Sequence, residues 1–294
     1  RLTAKALLRL GNTAALGPIF DESTAICAGP MSAATGWDSM INTAVDGLKW
    51  VHAGSSRFGD HERAHSAAEA EVSLKRRLLR GNPANPNLRR NVALAWDRKA
   101  ESLLALGRHD ATRAALDEAF GIYRELLNDD PRSTRAQRDL AVSYTMLAKL
   151  SENEHQWEAA ETLLMRAVDL FERLSAQSPD DTALSTATMS TYAVLGRVAV
   201  GANQLTSAQT GYASALVLAR RALAADPTDR DAQRSVCRYL HRLGGVEADL
   251  GLHDGAAQCF GEGYEFALRC FRLTDAEPQA VTDLTVAGWD VADL

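Results

Sequence analysis

The stretch GDHERAH, residues 59–65, sets His61, Glu62 and His65 in the spacing H-E-x-x-H. On a helix, residues i and i+4 share a face, so two imidazoles there could hold one zinc ion while Glu62 took a proton from its bound water. Such a centre needs a third protein ligand. No H-x-x-G-x-x-H extension follows, and Glu69 and Glu71 merely continue the same segment. A zinc metallopeptidase acting through His61, Glu62 and His65 is therefore the remotest reading, and the spelling is taken as coincidental.

Other chemistry is equally thin. Cys27, Cys237, Cys259 and Cys270 form no C-x-x-C pair, which suits scattered thiols in a reducing, cytoplasmic setting. Cys259 and Cys270 are three helical turns apart, too far along one helix to chelate a metal together. No G-x-x-x-x-G-K-[ST] loop, dinucleotide fingerprint or G-x-S-x-G elbow occurs, so neither a cofactor nor an activated nucleophile is expected. The net charge of −6 argues against a nucleic-acid partner, which demands a basic surface, and no apolar run approaches the ~20 residues of a membrane span.

The elements that would carry these residues announce themselves through proline. Pro83, Pro131, Pro179 and Pro227 fall 48 residues apart, flanked by Pro30 and Pro278 at slightly longer intervals. Most follow an acidic or polar residue, as in Asp130-Pro131, Ser178-Pro179 and Asp226-Pro227. The residue before proline avoids helical dihedrals, so each dipeptide closes one helix and prepares the next. The text between them also repeats: LRRNVALAW, AQRDLAVSY and AQRSVCRYL stand in one register at 88, 136 and 232. Apolar residues then recur every three or four positions, with Gly or polar breaks at Gly107, 152–155, 201–203 and Gly251. Each unit reads as a helical hairpin.

These units resemble the tetratricopeptide repeat, whose pattern is W-x2-L-G-x2-Y, then A-x3-F, then proline. The matching residues are Tyr192, Leu195, Gly196, Ala199, Ala208, Tyr212 and Ala215, then Leu240, Leu243, Gly244, Ala256 and Phe260. Tyr144, Leu147, Ala148, Ala160, Leu164 and Ala167 make another set, and Trp96, Ala100, Leu116 and Ala119 a weaker one in which Lys99 and Thr112 replace apolar residues. That repeat usually has 34 residues. The small-to-small spacing is kept (148 to 160, 196 to 208, 244 to 256), so the extra length lies near the proline, about two turns or ~10 Å on each helix. Such long repeats are similar to arrays in large bacterial signalling proteins.

The resemblance implies an all-α fold, a right-handed superhelical α-solenoid of stacked antiparallel helix hairpins. The expected divisions are a partial repeat at 1–29, a divergent repeat at 30–82, repeats at 83–130, 131–178, 179–226 and 227–278, and a capping half-repeat at 279–294. LLRLG at 7–11 echoes LLALG at 103–107, and TDLTVA at 282–287 echoes RDLAVS at 138–143, so both ends read as cut within an array. The register also places His61 with His109, Trp157, Leu205 and His253 at the start of each second helix. Ala64 takes the small-residue slot, and His65 is expected near solvent.

Arg90, Arg138 and Arg234 share one register, with Thr186 in the remaining slot. Near a helix start their charge opposes the dipole, so they should pair with loop carboxylates such as Asp130 or Asp226, or else form a strip that reads an acidic or phosphorylated partner. By the resemblance, first helices line a concave groove through Asp97, Thr145, Ala193 and His241, and through Glu101, Lys149, Arg197 and Gly245 one turn on. Lys149 and Arg197 could hold a carboxylate between them. The asparagines with which such repeats grip a chaperone's C-terminal carboxylate are absent, so that partner is not expected.

The expected function is a non-enzymatic scaffold or sensor that binds a protein or peptide, an acidic one included, within a larger bacterial protein. The alternative is a regulatory domain controlling an attached kinase, NTPase or protease. Self-association through exposed half-repeats is also open.

Overall fold

The computed structural model describes residues 16–28 and 37–273. The echoes at 7–11 and 282–287, the capping segment at 279–294, Pro30 and Pro278 lie outside them, as do the side chains of Cys27 and Cys270. The described residues form eleven helices and no strand: α1 (Leu16–Ala28), α2 (Trp37–Arg57), α3 (His61–Gly81), α4 (Pro86–Ala105), α5 (His109–Asp129), α6 (Thr134–Asn153), α7 (Trp157–Gln177), α8 (Thr182–Gly201), α9 (Leu205–Ala225), α10 (Arg230–Asp249) and α11 (His253–Leu273). From α3 onward, every second helix and every first helix begins 48 residues after its predecessor of the same kind. None is long and apolar enough to cross a membrane.

Two different turns mark the period. At the proline end, Asn85, Asp181 and Asp229 accept backbone N–H bonds from the first turns of α4, α8 and α10, and the Ser133 hydroxyl accepts one from Ala136 at the start of α6. These four caps also stand 48 apart, each satisfying amides that the helix start leaves without partners. At the opposite end, Gly59, Gly107, His155, Asn203 and Gly251 all take positive φ, between 58° and 77°. There, as in Arg108 N–H to Leu103 O and Gln204 N–H to Ala199 O, the chain makes the six-to-one bond of a left-handed helix stop. Glycine meets that conformation at three sites; histidine and asparagine adopt it against a steric penalty.

The hairpins close on small residues. Ala64, Thr112, Ala160, Ala208 and Ala256 fill one register of the second helices and are completely buried. The Thr112 hydroxyl is satisfied within its own helix by the Arg108 carbonyl at 2.9 Å. Across the crossing, side-chain volumes are complementary. Gly196 of α8 lies under the Tyr212 ring of α9, and Gly244 of α10 lies under the Phe260 ring of α11. In the α4–α5 hairpin the same slots hold Ala100 and Leu116, both buried in one cluster. Glycine faces an aromatic ring and alanine faces leucine, so the helix spacing is held while the partition of volume changes.

The chain divides into two compact units, Arg1–Leu150 and Ser151–Leu294. In the first, α1 packs on α2, α2 on α3, α3 on α4 and α4 on α5. In the second, α7 packs on α8, α8 on α9, α9 on α10 and α10 on α11. Hairpins stacked in chain order, each helix touching mainly its neighbours, are the architecture of an α-solenoid.

Candidate functional site

The H-E-x-x-H residues open α3, and their side chains are engaged separately. Glu62 accepts a hydrogen bond from Arg108 at 2.6 Å, so its carboxylate serves an ion pair. His65 is only 14% exposed, against the expectation of a solvent-facing ring. Its Nε2 lies 3.9 Å from Glu69, and burial lowers its pKa. Among the described residues no three His, Cys, Asp or Glu side chains converge to hold a metal.

The arginine register has different partners from those expected. Arg90 grips Asp139 with two hydrogen bonds, the second of 3.1 Å, and Arg138 lies 3.8 Å from the same carboxylate. Arg234 lies 3.5 Å from Asp231 on its own helix. Asp130 and Asp226 are occupied elsewhere: each folds back on the turn after its proline, accepting the N–H of Arg132 or Thr228. Thr186 bonds to the Thr182 carbonyl.

Two of the expected groove residues are interior. Asp97 is 6% exposed and accepts hydrogen bonds from the Tyr123 hydroxyl at 2.6 Å and the Ser143 hydroxyl at 2.7 Å. Burial drives its pKa up to about 6 despite those donors. Thr145 is buried and donates to the Ala141 carbonyl. Both therefore leave the set of partner-facing positions, Asp97 because α5 and α6 close over it with Tyr123 and Ser143, and Thr145 because it is buried with its hydroxyl on its own helix. Glu101 is exposed, Lys149 and Gly245 are half-buried, and His241 is half-buried with its ring 6.2 Å from that of Phe260. Arg197 is about half exposed, with its guanidinium on Glu152 through two hydrogen bonds, one of 2.6 Å.

Sequence reasoning missed a buried ionic cluster in the first unit. Glu71 of α3 is wholly buried and accepts from Arg98 of α4 at 2.8 Å and from Lys75 at 2.7 Å. Burial raises the Glu71 pKa, but Arg98 and Lys75 together pull it below its ordinary value; burial also brings Lys75 down to about 8. The i,i+4 spacing of Glu71 and Lys75 was a visible signal, whereas Arg98 comes from the next helix. Glu71 thus offsets two cations inside the stack, where a charge left without a partner would be costly.

It also missed a row on α10. Arg230, Arg234, Arg238 and Arg242 recur every fourth residue, while Tyr239, Leu240, Leu243 and Val246 of the same helix are buried. Arg238 and Arg242 are exposed. On α8 the exposed residues at matching spacing are Thr182, Thr186 and Ser190; the next position is the buried Val194. Beneath them, Tyr212 of α9 links the two helices: burial raises its pKa, and the charges of Arg242 and Arg197 both oppose that rise.

No protein-family model matches the chain, and no curated relative does. Solved structures do. BtubC (BKLC) from P. vanneervenii is 17% identical, with 88% of this chain and 90% of that one aligned at a TM-score of 0.64. The nearly identical TPR-like repeats of a Podosopora anserina protein described as a kinesin light chain are 14% identical, with 78% of this chain and 98% of that one aligned at a TM-score of 0.52. Helix order, the small residues at each crossing and these likenesses agree: the chain has the tetratricopeptide-repeat fold, an all-α stack of antiparallel helical hairpins.

Proposed function

We propose that the chain is a non-enzymatic protein-interaction module that binds a peptide or partner protein along the exposed face of its first helices. One observation carries this reading: α8 and α10 each bury one face yet keep exposed polar residues at i,i+4 spacing, Thr182, Thr186 and Ser190 on one and Arg238 and Arg242 on the other. Short-range helical contacts hold these rows in place without needing them for the core, so their side chains are left for a partner. The buried polar groups support the same reading, since Asp97 and Glu71 spend their hydrogen-bonding capacity inside the stack. The unbridged thiols of Cys237 and Cys259 suit a cytoplasmic setting.

Site-specific photocrosslinking tests it. A benzoylphenylalanine at Ser190 on α8, in an extract of the source cell, is expected to trap a defined protein partner. The same group at Val217 on α9, which is 63% exposed, is expected to trap none. Adducts at Val217 and not at Ser190 would place the working surface on the second helices and overturn the proposal.

A further inference from the structure

The arginine row of α10 points to a specific kind of partner, and we infer that it is a docking ridge for an acidic helical segment of another protein, engaged chiefly through Arg238 and Arg242. This rests on the protein-interaction reading and adds the chemistry of the ligand. Four other arginines are consumed by the fold: Arg90 by Asp139, Arg98 by Glu71, Arg197 by Glu152, and Arg220 of α9 by Glu262. Arg238 and Arg242 have no hydrogen-bonded or ion-paired carboxylate among the described residues, and both are exposed. In a chain of net charge −6, two adjacent uncompensated guanidinium groups on one helix are a local reversal of sign.

Spacing sets the form of the ligand. Residues four apart on a helix rise ~6 Å, so Arg238 and Arg242 offer two guanidinium forks at that interval, with Arg234, 3.5 Å from Asp231, one step before them. Glutamates four apart on a partner helix have the same rise, and each can take a two-pronged hydrogen bond from one fork. The ends of the ridge limit its length. Asp229 and Asp231 flank the N-terminal side, and Asp249 ends the helix. A ligand with a short run of carboxylates fits between these charges, whereas a long polyanion such as nucleic acid would carry its charge over the aspartates at both ends.

The test uses the whole chain and a fluorescein-labelled, alanine-rich peptide with glutamates four residues apart, followed by fluorescence anisotropy. Wild type is expected to bind it, less tightly as salt rises. The variant R238E/R242E is expected to lose ~10-fold or more in affinity while keeping the far-ultraviolet spectrum of wild type. It should also bind a matched peptide with lysine in place of glutamate better than wild type does, a gain that misfolding would not produce. Three results would overturn the inference: no binding of the acidic peptide, unchanged binding by R238E/R242E, or tighter binding of a single-stranded oligonucleotide than of the peptide. If a partner still crosslinks at Ser190 but ignores R238E/R242E, the ridge assignment falls and the protein-interaction reading stands.

Discussion

The pairing of Gly196 with Tyr212 yields a prediction whose sign reverses with context. A Cβ added at Gly196 would sit 2.9 Å from the Tyr212 ring, closer than carbon atoms pack. Overpacking of this kind costs about 1–3 kcal/mol, and the helix propensity of alanine returns about 1 kcal/mol, so Gly196→Ala should lower stability by about 1 kcal/mol. Tyr212→Leu alone leaves a void under the crossing and should cost about 1–2 kcal/mol. Together they recreate the Ala100–Leu116 arrangement of the α4–α5 hairpin, in which the methyl group fills space instead of colliding. The double variant should therefore be more stable than Tyr212→Leu, with a favourable coupling of about 1–3 kcal/mol, well beyond the ~0.5 kcal/mol within which independent sites add. Urea unfolding of the four proteins, followed by circular dichroism with the slope checked for constancy, measures that coupling. Additive losses would refute the idea that the repeat holds helix spacing by trading volume across the crossing.

Backbone and titration effects give further expectations. Gly107→Ala forces a side chain into positive φ and should cost about 1–2 kcal/mol, whereas Gly245→Ala, in a helix with nothing within 4 Å of the new methyl group, should gain up to about 1 kcal/mol; melting curves of the two rank them. Asp97, with its folded pKa near 6 against an ordinary 3.8, favours folding when protonated: that contribution is complete below pH 4 and lost as pH rises through 6. Asp97→Asn should therefore gain stability relative to wild type between pH 4 and pH 7, by as much as ~3 kcal/mol, and a pH-independent difference would contradict the assignment. Glu71→Gln leaves Arg98 and Lys75 facing each other without their carboxylate and should cost about 3 kcal/mol or more, read by denaturant unfolding at neutral pH.

The register of the helices was legible because its markers are local. A residue before proline, a cap, a small residue and a positive-φ stop each act within one turn, and each recurs every 48 residues. Hence His61 could be assigned to the start of a second helix, and the Ala64 slot to a crossing, from the letters alone. What failed was pairing between hairpins. Arg90 finds Asp139, 49 residues on, and Asp97 finds Tyr123 and Ser143 on two different helices. Nothing in the local text distinguishes Asp139 from Asp130, the nearer candidate, except that the latter is occupied by its own turn. Asp97 and Thr145 were placed in a groove by the resemblance alone; neighbouring helices bury both, a contact that the local text does not show. The α10 row was visible as R-x3-R-x3-R-x3-R, but its meaning needed the knowledge that two of its members lack carboxylates.

Arginine-specific labelling with phenylglyoxal, read residue by residue by mass spectrometry, tests most directly the claim that this chain works through the open face of its first helices. With the acidic peptide bound, Arg238 and Arg242 should be protected, while Arg173 on α7 and Arg220 on α9, both exposed on second helices, should react as they do in the free protein. Protection of Arg173 and Arg220 with Arg238 and Arg242 left reactive would contradict it.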